Sequence, residues 1–160
     1  MSRLQLALNV DNVTEAVEFY QTLFDAAPAK IRPGYANFAL TDPPLKLVLI
    51  ESPGAGGGIN HLGVEHESTQ QVGAELSRLT QADLVGEVEL DTTCCYAKQD
   101  KFWLNQAPDG SQWEVYAVLE DSPTFFGDGS DGCCGEDSQC CSTDSASAGG
   151  SAIETSPISV

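Results

Sequence analysis

The sequence predicts an α+β fold in which two βαβββ modules form one curved mixed sheet around a concave site, followed by a disordered C-terminal tail. Three observations support this prediction. The same order of strand-like and helix-like segments appears twice, 56 residues apart. Each copy opens with alternation of apolar and polar residues and continues with a helix-capping pattern. After residue 121 the composition becomes acidic and rich in Ser and Gly.

In the first module, residues 4–10 alternate between large apolar and smaller or polar side chains, the period of a half-buried strand. Asn12 followed three residues later by Glu15 is a capping box, and apolar residues at helical spacing come next. Two strand-like runs follow, at residues 35–40 and 45–50, with a Pro-containing turn between them. Alternation directs Gln5 away from the helix-covered apolar face, towards the concave side of the sheet.

The second module repeats this order from residue 60. Ser68 and Gln71 form the second capping box, and an apolar helical stripe follows. Three strand candidates come after it, at residues 85–90, 96–105 and 111–118. The Gly-rich residues 53–58 join the modules, and they lack the Gly-Lys-Ser/Thr ending of a phosphate loop, so we interpret them as a linker.

The composition limits both the domain count and the partners. The chain has 160 residues, with 7 Lys and Arg against 24 Asp and Glu, and a net charge of -17. This charge argues against nucleic acid and anionic membranes as partners, because both require a basic surface. The sequence contains neither an apolar run of membrane-spanning length nor a signal-peptide pattern at its N-terminus, so we expect a cytoplasmic protein.

We divide the chain into a core of residues 1–121, with modules of about 1–52 and 59–121, and a tail of residues 122–160. The tail carries six acidic residues and no Lys or Arg. It has too little apolar surface to offset its ordering entropy, so we expect disorder. Phe125 and Phe126 are its bulky apolar residues, and we expect them to pack on the core.

One set of candidate functional residues lies on the concave face. Gln5 and His61 occupy equivalent positions in the two modules, and Glu114 lies on the last strand between large apolar residues. An amide, an imidazole and a carboxylate together suit a divalent metal, and three protein ligands leave open positions, as in non-haem Fe(II) sites. In the alternative interpretation, Gln5 and His61 are polar residues whose hydrogen-bonding groups find partners within the protein, and Glu114 pairs with a Lys. His66 has the opposite strand parity, which predicts a surface position.

A second set is the adjacent pair Cys94 and Cys95. Adjacent cysteines make poor structural disulfides, and the predicted location keeps them reduced. Neighbouring side chains of a strand point to opposite faces, so two thiols that bind one atom require a turn here. Polar neighbours argue against deep burial of the pair. Paired thiols chelate soft ions such as trivalent arsenic or cadmium, although two buried small hydrophobic residues remain the alternative.

The paired modules resemble the vicinal oxygen chelate superfamily, which contains glyoxalase I, bleomycin-resistance proteins and extradiol dioxygenases. Several stretches resemble one branch, the C–As bond lyases (ArsI) and cadmium-induced (CadI) proteins. These stretches are Leu-Ala-Leu-Asn-Val at 6–10, Asn-His-Leu-Gly-Val-Glu at 60–65, Thr-Thr-Cys-Cys at 92–95 and Trp-Glu-Val-Tyr at 113–116. The resemblance covers about residues 3–126.

The resemblance implies a demethylation or dearylation of trivalent organoarsenicals, such as methylarsenite, to arsenite, with Fe(II) as cofactor and dioxygen as co-substrate. Carried over by position, Gln5, His61 and Glu114 hold the iron, and Cys94 and Cys95 bind the arsenical and are catalytic. Extradiol dioxygenases commonly use two His and one carboxylate, so Gln5 replaces one His here.

Two other functions remain open at this point. A glyoxalase I type isomerase would use the same metal, but it favours a fourth ligand that residues 45–50 do not supply. A non-catalytic protein could sequester Cd(II) or As(III) through its six thiols. The tail has four possible accessory thiols, which are Cys133, Cys134, Cys140 and Cys141. They could capture the metalloid and pass it to Cys94 and Cys95, or the tail could be dispensable and its thiols bind metal opportunistically. Both a monomer and a homodimer are compatible with the sequence.

Overall fold

The computed structural model describes residues 2–105 and 107–126. The four tail cysteines therefore lie outside the described residues. The elements follow one another in the order β1 (Arg3–Val10), α1 (Val13–Phe24), β2 (Lys30–Arg32), β3 (Tyr35–Thr41), β4 (Pro44–Glu51), β5 (Ile59–His66), α2 (Thr69–Thr80), β6 (Val85–Cys94), β7 (Ala97–Leu104) and β8 (Trp113–Asp121).

The eight strands form a single curled mixed sheet in the order β2-β3-β4-β1-β5-β8-β7-β6. β1 pairs with β4 in parallel and with β5 antiparallel, and β5 pairs with β8 in parallel. Each module thus supplies four neighbouring strands, and the β1–β5 pair joins the two modules. This arrangement confirms the predicted α+β fold of two βαβββ modules.

Both helices begin where the capping patterns predict. The Asn12 side chain accepts the N–H groups of the first turn of α1, and Ser68 accepts that of Gln71 in α2. α1 packs Val13 and Val17 onto one apolar cluster, which also contains Leu6 and Leu8 of β1; α2 packs on a second cluster. The helices therefore cover the apolar face of the sheet and leave the other face to the concave site.

The structure corrects the predicted strands in two places. β2 was not predicted, because three residues are too few to show a period. β6 runs to Cys94 rather than ending near residue 90, and the following strand begins at Ala97. The hairpin between β6 and β7 is therefore longer than expected, and the cysteine pair lies at its tip.

Two connecting segments are tied to the core. The N–H groups of Gly54 and Gly56 in the linker donate to the Asp11 carboxylate. Phe125 packs against Tyr35 and Tyr96, with ring centroids 6.2 and 5.3 Å away, and Phe126 forms a β-bridge with Cys94. The prediction that the two phenylalanines pack on the core is confirmed. Among the described residues, no helix is long and apolar enough to cross a membrane.

Candidate active site

The three predicted metal ligands meet on the concave face of the sheet. Gln5 Nε2 lies 2.9 Å from His61 Nε2 and donates to Glu114 Oε1 at 2.6 Å. His61 Nε2 lies 3.2 Å from the same Glu114 oxygen. Gln5, His61 and Glu114 are 5%, 7% and 5% exposed, so the trio is withdrawn from solvent.

Strand register explains why these residues converge. In the β1–β5 pair, Gln5 is opposite Gly63 and Ala7 is opposite His61, which makes Gln5 and His61 diagonal neighbours. In the β5–β8 pair, Gly63 is next to Glu114. A Cβ atom on Gly63 would lie 3.3 Å from Gln5 Cβ and 3.1 Å from Glu114 Cγ. The missing side chain of Gly63 therefore gives the Gln5 and Glu114 side chains the space they occupy.

The orientation of His61 is set by residues outside the trio. His61 Nδ1 lies 2.7 Å from Asn60 Oδ1, and the Asn60 amide in turn donates to Asn9 Oδ1 at 2.9 Å. An amide oxygen only accepts, so in the neutral ring Nδ1 carries the hydrogen and Nε2 presents its lone pair to Gln5 and Glu114. Metal-binding histidines have this arrangement, with the second ring nitrogen held by a hydrogen bond.

The Gln5 amide is held from behind by Tyr116, whose buried hydroxyl donates to Gln5 Oε1. Burial, reinforced by the negative charges of Glu65 and Glu114, raises the pKa of Tyr116 well above its ordinary value, so the hydroxyl stays protonated. A phenol both donates and accepts hydrogen bonds. Tyr116 can therefore hold Gln5 in either amide orientation, including the one that turns the ligating oxygen towards His61 and Glu114.

A buried cation lies on the other side of Glu114. Lys101 is 1% exposed, and its Nζ is 4.0 Å from Glu114 Oε2, 3.4 Å from Glu89 Oε1 and 4.9 Å from the Trp103 ring centroid. Burial alone would raise the pKa of the Glu114 carboxyl. A protonated His61, through its charge and a hydrogen bond from Nε2, outweighs burial together with the Lys101 ammonium and the Gln5 amide, so this pKa lies below its ordinary value and Glu114 is a carboxylate. The alternative that Glu114 pairs with a Lys therefore holds alongside its contacts to His61 and Gln5.

These residues fit a divalent metal. Two donor atoms bonded to one metal at about 2.1 Å and at right angles lie about 3 Å apart. His61 Nε2 and Glu114 Oε1 are 3.2 Å apart. The Gln5 amide lies 2.9 and 2.6 Å from these two atoms through Nε2, and a rotation of the amide would put its oxygen in that place. Within the part of the chain that the structure describes, no three His, Cys, Asp or Glu residues gather at one point. A metal centre here therefore depends on Gln5 as the third donor.

The position of a fourth ligand is occupied by Val48. Ala7 is next to Val48 in the β1–β4 pair, as Gly63 is next to Glu114 in the β5–β8 pair. Val48 is therefore the first-module equivalent of Glu114, and it is buried and lines the same cavity. Glu51 at the end of β4 accepts the first N–H of α1 at 2.8 Å instead. As predicted, this strand does not supply a fourth ligand.

The cysteine pair lies in a two-residue hairpin turn between β6 and β7, which we call the thiol turn (residues 94–97). Cys94 pairs with Ala97, and the intervening Cys95 and Tyr96 have φ angles of 56° and 60°. Two left-handed central residues define a type I′ turn, which normally takes Asn-Gly. Each non-glycine residue in this conformation costs about 1–2 kcal/mol. The predicted turn at the cysteine pair is therefore present, and it is strained.

The turn brings the two thiols together. Cys94 Sγ and Cys95 Sγ lie 3.1 Å apart, and neither cysteine is part of a disulfide. Two sulfurs bonded to one atom at about 2.3 Å and at right angles would be about 3.3 Å apart, so the pair is spaced for a chelate. The expectation that polar neighbours keep the pair near the surface is wrong for Cys94, which is 5% exposed. The polar neighbours lie on β7, and two of them, Gln99 and Lys101, are themselves buried.

Both sets of residues line one cavity of about 210 Å³. Tyr35 lines it as well, and its hydroxyl accepts a hydrogen bond from Asn37 at 2.9 Å. Burial first, and then the proximity of Cys95 and Cys94, raise the pKa of Tyr35 above its ordinary value, so its hydroxyl is protonated. His66 does not line this cavity and contacts Ser2 instead, as its strand parity predicted.

The fold and its concave site indicate a class of proteins, and the match of the sequence to a family model indicates the same class. Residues 3–115 match the Glyoxalase/Bleomycin resistance protein/Dioxygenase superfamily, and the chain belongs to that superfamily. The Mn(II)-bound glyoxalase from Novosphingobium aromaticivorans shares the fold, with a TM-score of 0.52 and 16% identity over 76% of this chain and 42% of that one.

Two relatives are much more similar in sequence. The cadmium-induced protein CadI of Mycobacterium tuberculosis is 60% identical over 88% of this chain and 93% of its own length. The trivalent organoarsenical cleaving enzyme of Thermomonospora curvata is 49% identical over 93% of this chain and 95% of its own length. The branch expected from the motifs at residues 60–65, 92–95 and 113–116 is thereby confirmed.

Proposed function

We propose that this protein is an Fe(II)- and dioxygen-dependent C–As lyase that converts trivalent organoarsenicals, such as methylarsenite, to arsenite. One observation supports this above all. A pair of thiols spaced for a chelate and a trio of possible metal donors line the same cavity. The relatives that are named trivalent organoarsenical cleaving enzymes agree with this function.

The thiol turn would bind the substrate. Methylarsenite carries two hydroxyl groups on arsenic, and reaction with Cys94 and Cys95 forms two As–S bonds and releases two water molecules. The third substituent of the arsenic is then the organic group, which the cavity directs towards the trio. Fixing the arsenic this way gives the reacting groups the proximity that lowers a bimolecular barrier. The buried, protonated Tyr35 beside the thiols contributes to closing this part of the cavity to water.

Gln5, His61 and Glu114 would hold Fe(II), which when bound supplies a binding and activation site for dioxygen. The roles of the surrounding residues follow from their contacts. Asn60 keeps His61 Nε2 directed into the site, and Tyr116 holds the Gln5 amide. Val48 leaves the fourth position free for exogenous molecules, which a dioxygen-using centre requires and a four-ligand isomerase site does not.

The test of this function is arsenic speciation under controlled oxygen. Anaerobic protein is loaded with Fe(II), mixed with excess methylarsenite and then exposed to air. We expect several equivalents of arsenite per protein, and only when iron and air are both present. A sequestering protein would instead remove one or a few equivalents of methylarsenite without releasing arsenite. Conversion of methylglyoxal–thiol adducts by the metal-loaded protein would favour the isomerase.

Serine variants separate the two sets of residues. Cys94→Ser and Cys95→Ser should each abolish turnover and leave metal affinity unchanged, because the thiols are not part of the trio. A matched control replaces two cysteines outside the described residues, Cys133→Ser with Cys134→Ser. Full activity of the Cys94→Ser variant would show that the arsenic-binding assignment is wrong.

A further inference from the structure

The contacts between the thiol turn and the opposite module include a hydrogen bond from a lysine. Lys30 lies on β2, the edge strand of the first module, and its Nζ donates to the Tyr96 carbonyl oxygen at 2.8 Å and to Asp121 Oδ1 at 2.6 Å. Its side chain is 12% exposed. We propose that Lys30 is a positioning residue for the thiol pair, and that it holds the thiol turn in its chelating conformation. This inference rests on the proposed function, since it assumes that the pair binds an arsenical.

The backbone of the turn explains why such a contact is needed. Cys95 and Tyr96 both adopt the left-handed conformation without being Gly or Asn. Such residues keep this conformation only where the surroundings impose it. If they relaxed to ordinary dihedral angles, the two side chains would return to opposite faces and the sulfurs would separate. The 3.1 Å separation therefore depends on whatever fixes the Tyr96 peptide.

Several groups contact the turn, and Lys30 differs from the others in its charge. The Ser122 N–H donates to the same Tyr96 oxygen at 3.0 Å, and the Tyr96 hydroxyl donates to the Pro33 carbonyl at 3.3 Å. Both are neutral hydrogen bonds. A hydrogen bond from an ammonium is roughly twice as strong as a neutral one, and that of Lys30 is largely shielded from water. Lys30 is therefore the strongest of these contacts on the turn.

Loss of Lys30 should weaken capture of the substrate more than its conversion. The free protein would spend less time with both sulfurs in chelating positions, so the dissociation constant for an arsenical rises. Once arsenic has bonded to both sulfurs, the arsenic itself holds them together and replaces the missing contact. The expected pattern is a raised KM with an unchanged kcat. Lys30 lines the same cavity as the trio, but its ammonium donates to Tyr96 and Asp121 and not to Gln5, His61 or Glu114, so the metal affinity of the trio should not change.

The test uses the full chain with the four tail cysteines changed to Ser, so that Cys94 and Cys95 are its only thiols. The dissociation constant for methylarsenite is measured anaerobically on metal-free protein, by fluorescence. Lys30→Met should weaken binding about tenfold, the loss expected for a charged hydrogen bond. Lys30→Arg, which retains a cationic donor, should stay within about threefold of the parent. Lys98→Met is the matched control, because the Lys98 ammonium lies 2.8 Å from Asp91 instead of on the turn carbonyl.

Three results would overturn the proposal. The first is a Lys30→Met variant that binds methylarsenite as tightly as the Lys98→Met control. The second is an equal loss of methylarsenite and Co(II) binding, which would indicate general destabilisation. The third is a fall in kcat with KM unchanged. A parent protein whose methylarsenite binding is insensitive to Cys94→Ser would instead refute the proposed function itself, so the two failures are distinguishable.

Discussion

Gly63 gives the sharpest test of how the ligand trio is built. A Cβ atom at this position would lie 3.1 Å from Glu114 Cγ and 3.3 Å from both Gln5 Cβ and the Glu114 carbonyl oxygen. Non-bonded carbon atoms prefer separations of about 3.5–4.0 Å. The flanking strands β1 and β8 each have a hydrogen-bonded partner on both sides, so their backbones cannot retreat. In a Gly63→Ala variant, Glu114 Cγ must therefore move by about 0.4 Å and Gln5 Cβ by about 0.2 Å to reach the lower limit of this range.

The size of the effect follows from this displacement. Overpacking of a buried site by one methyl group costs about 1–3 kcal/mol. The reduced freedom of the unfolded chain returns about 0.4–1 kcal/mol, so a net loss of about 1–2 kcal/mol in the free energy of unfolding is expected. Ligand geometry has to be held within about 0.5 Å, and a shift of about 0.4 Å uses most of this tolerance. We therefore expect metal affinity to fall by about tenfold, the lower end of the range seen when a ligand's support is lost.

The assay combines urea unfolding of metal-free protein with Co(II) titration monitored by absorbance. Gly73→Ala is the matched control, because Gly73 lies in α2 with no atom within 4 Å of an added Cβ. This control should gain about 0.5–1 kcal/mol in stability and leave metal affinity unchanged. A Gly63→Ala variant that binds Co(II) as tightly as the wild type would refute this account of the trio.

Three further predictions concern other parts of the fold. Tyr116→Phe should weaken metal binding about tenfold without preventing folding, measured by Co(II) titration, because the Gln5 amide loses its buried partner. Burial would raise the pKa of Glu65, but two basic side chains of β1 and β4 outweigh it and hold the pKa below its ordinary value of 4.5. The stabilisation from its carboxylate is therefore complete above pH 4.5 and is lost as the pH falls through the lower folded-state value; Glu65→Gln should remove this part of the acid dependence of urea unfolding. Asp25→Gly, at the left-handed C-cap of α1, should raise the unfolding free energy by up to about 1 kcal/mol.

The clustering of Gln5, His61 and Glu114 could be predicted from the sequence because two simple rules agreed. Alternation along a strand assigns each side chain to a face, and the repeat makes Gln5 and His61 equivalent. Neither rule needs a side-chain contact to be known. Glu114 was predicted because an acidic residue between large apolar neighbours requires a buried partner. The comparison of the two modules also showed that residues 45–50 of the first module contain no carboxylate. In the structure, Val48 occupies the position that corresponds to Glu114.

The thiol turn was harder to predict, because its conformation contradicts local preference. A type I′ turn is recognised in a sequence by Asn-Gly, and Cys95 and Tyr96 give no such signal. Lys101 was missed for a related reason, since a lysine in a polar stretch is normally exposed. The alternation of Ala97, Gln99 and Lys101 on one face of β7 was a usable signal, but it becomes clear only once that face is known to line a cavity.

The order of the strands in the sheet differs from their order along the chain, and this difference has a consequence for folding during synthesis. The donors of the trio are residues 5, 61 and 114, so the first is synthesised early and the last only when the core is nearly complete. β1 receives its antiparallel partner β5 only after the whole first module has been made, and β5 receives its parallel partner β8 later still. Domains generally fold as units during synthesis, and the trio cannot exist before this one is finished. Metal therefore cannot guide the early folding of this chain, and its uptake would mark a completed protein.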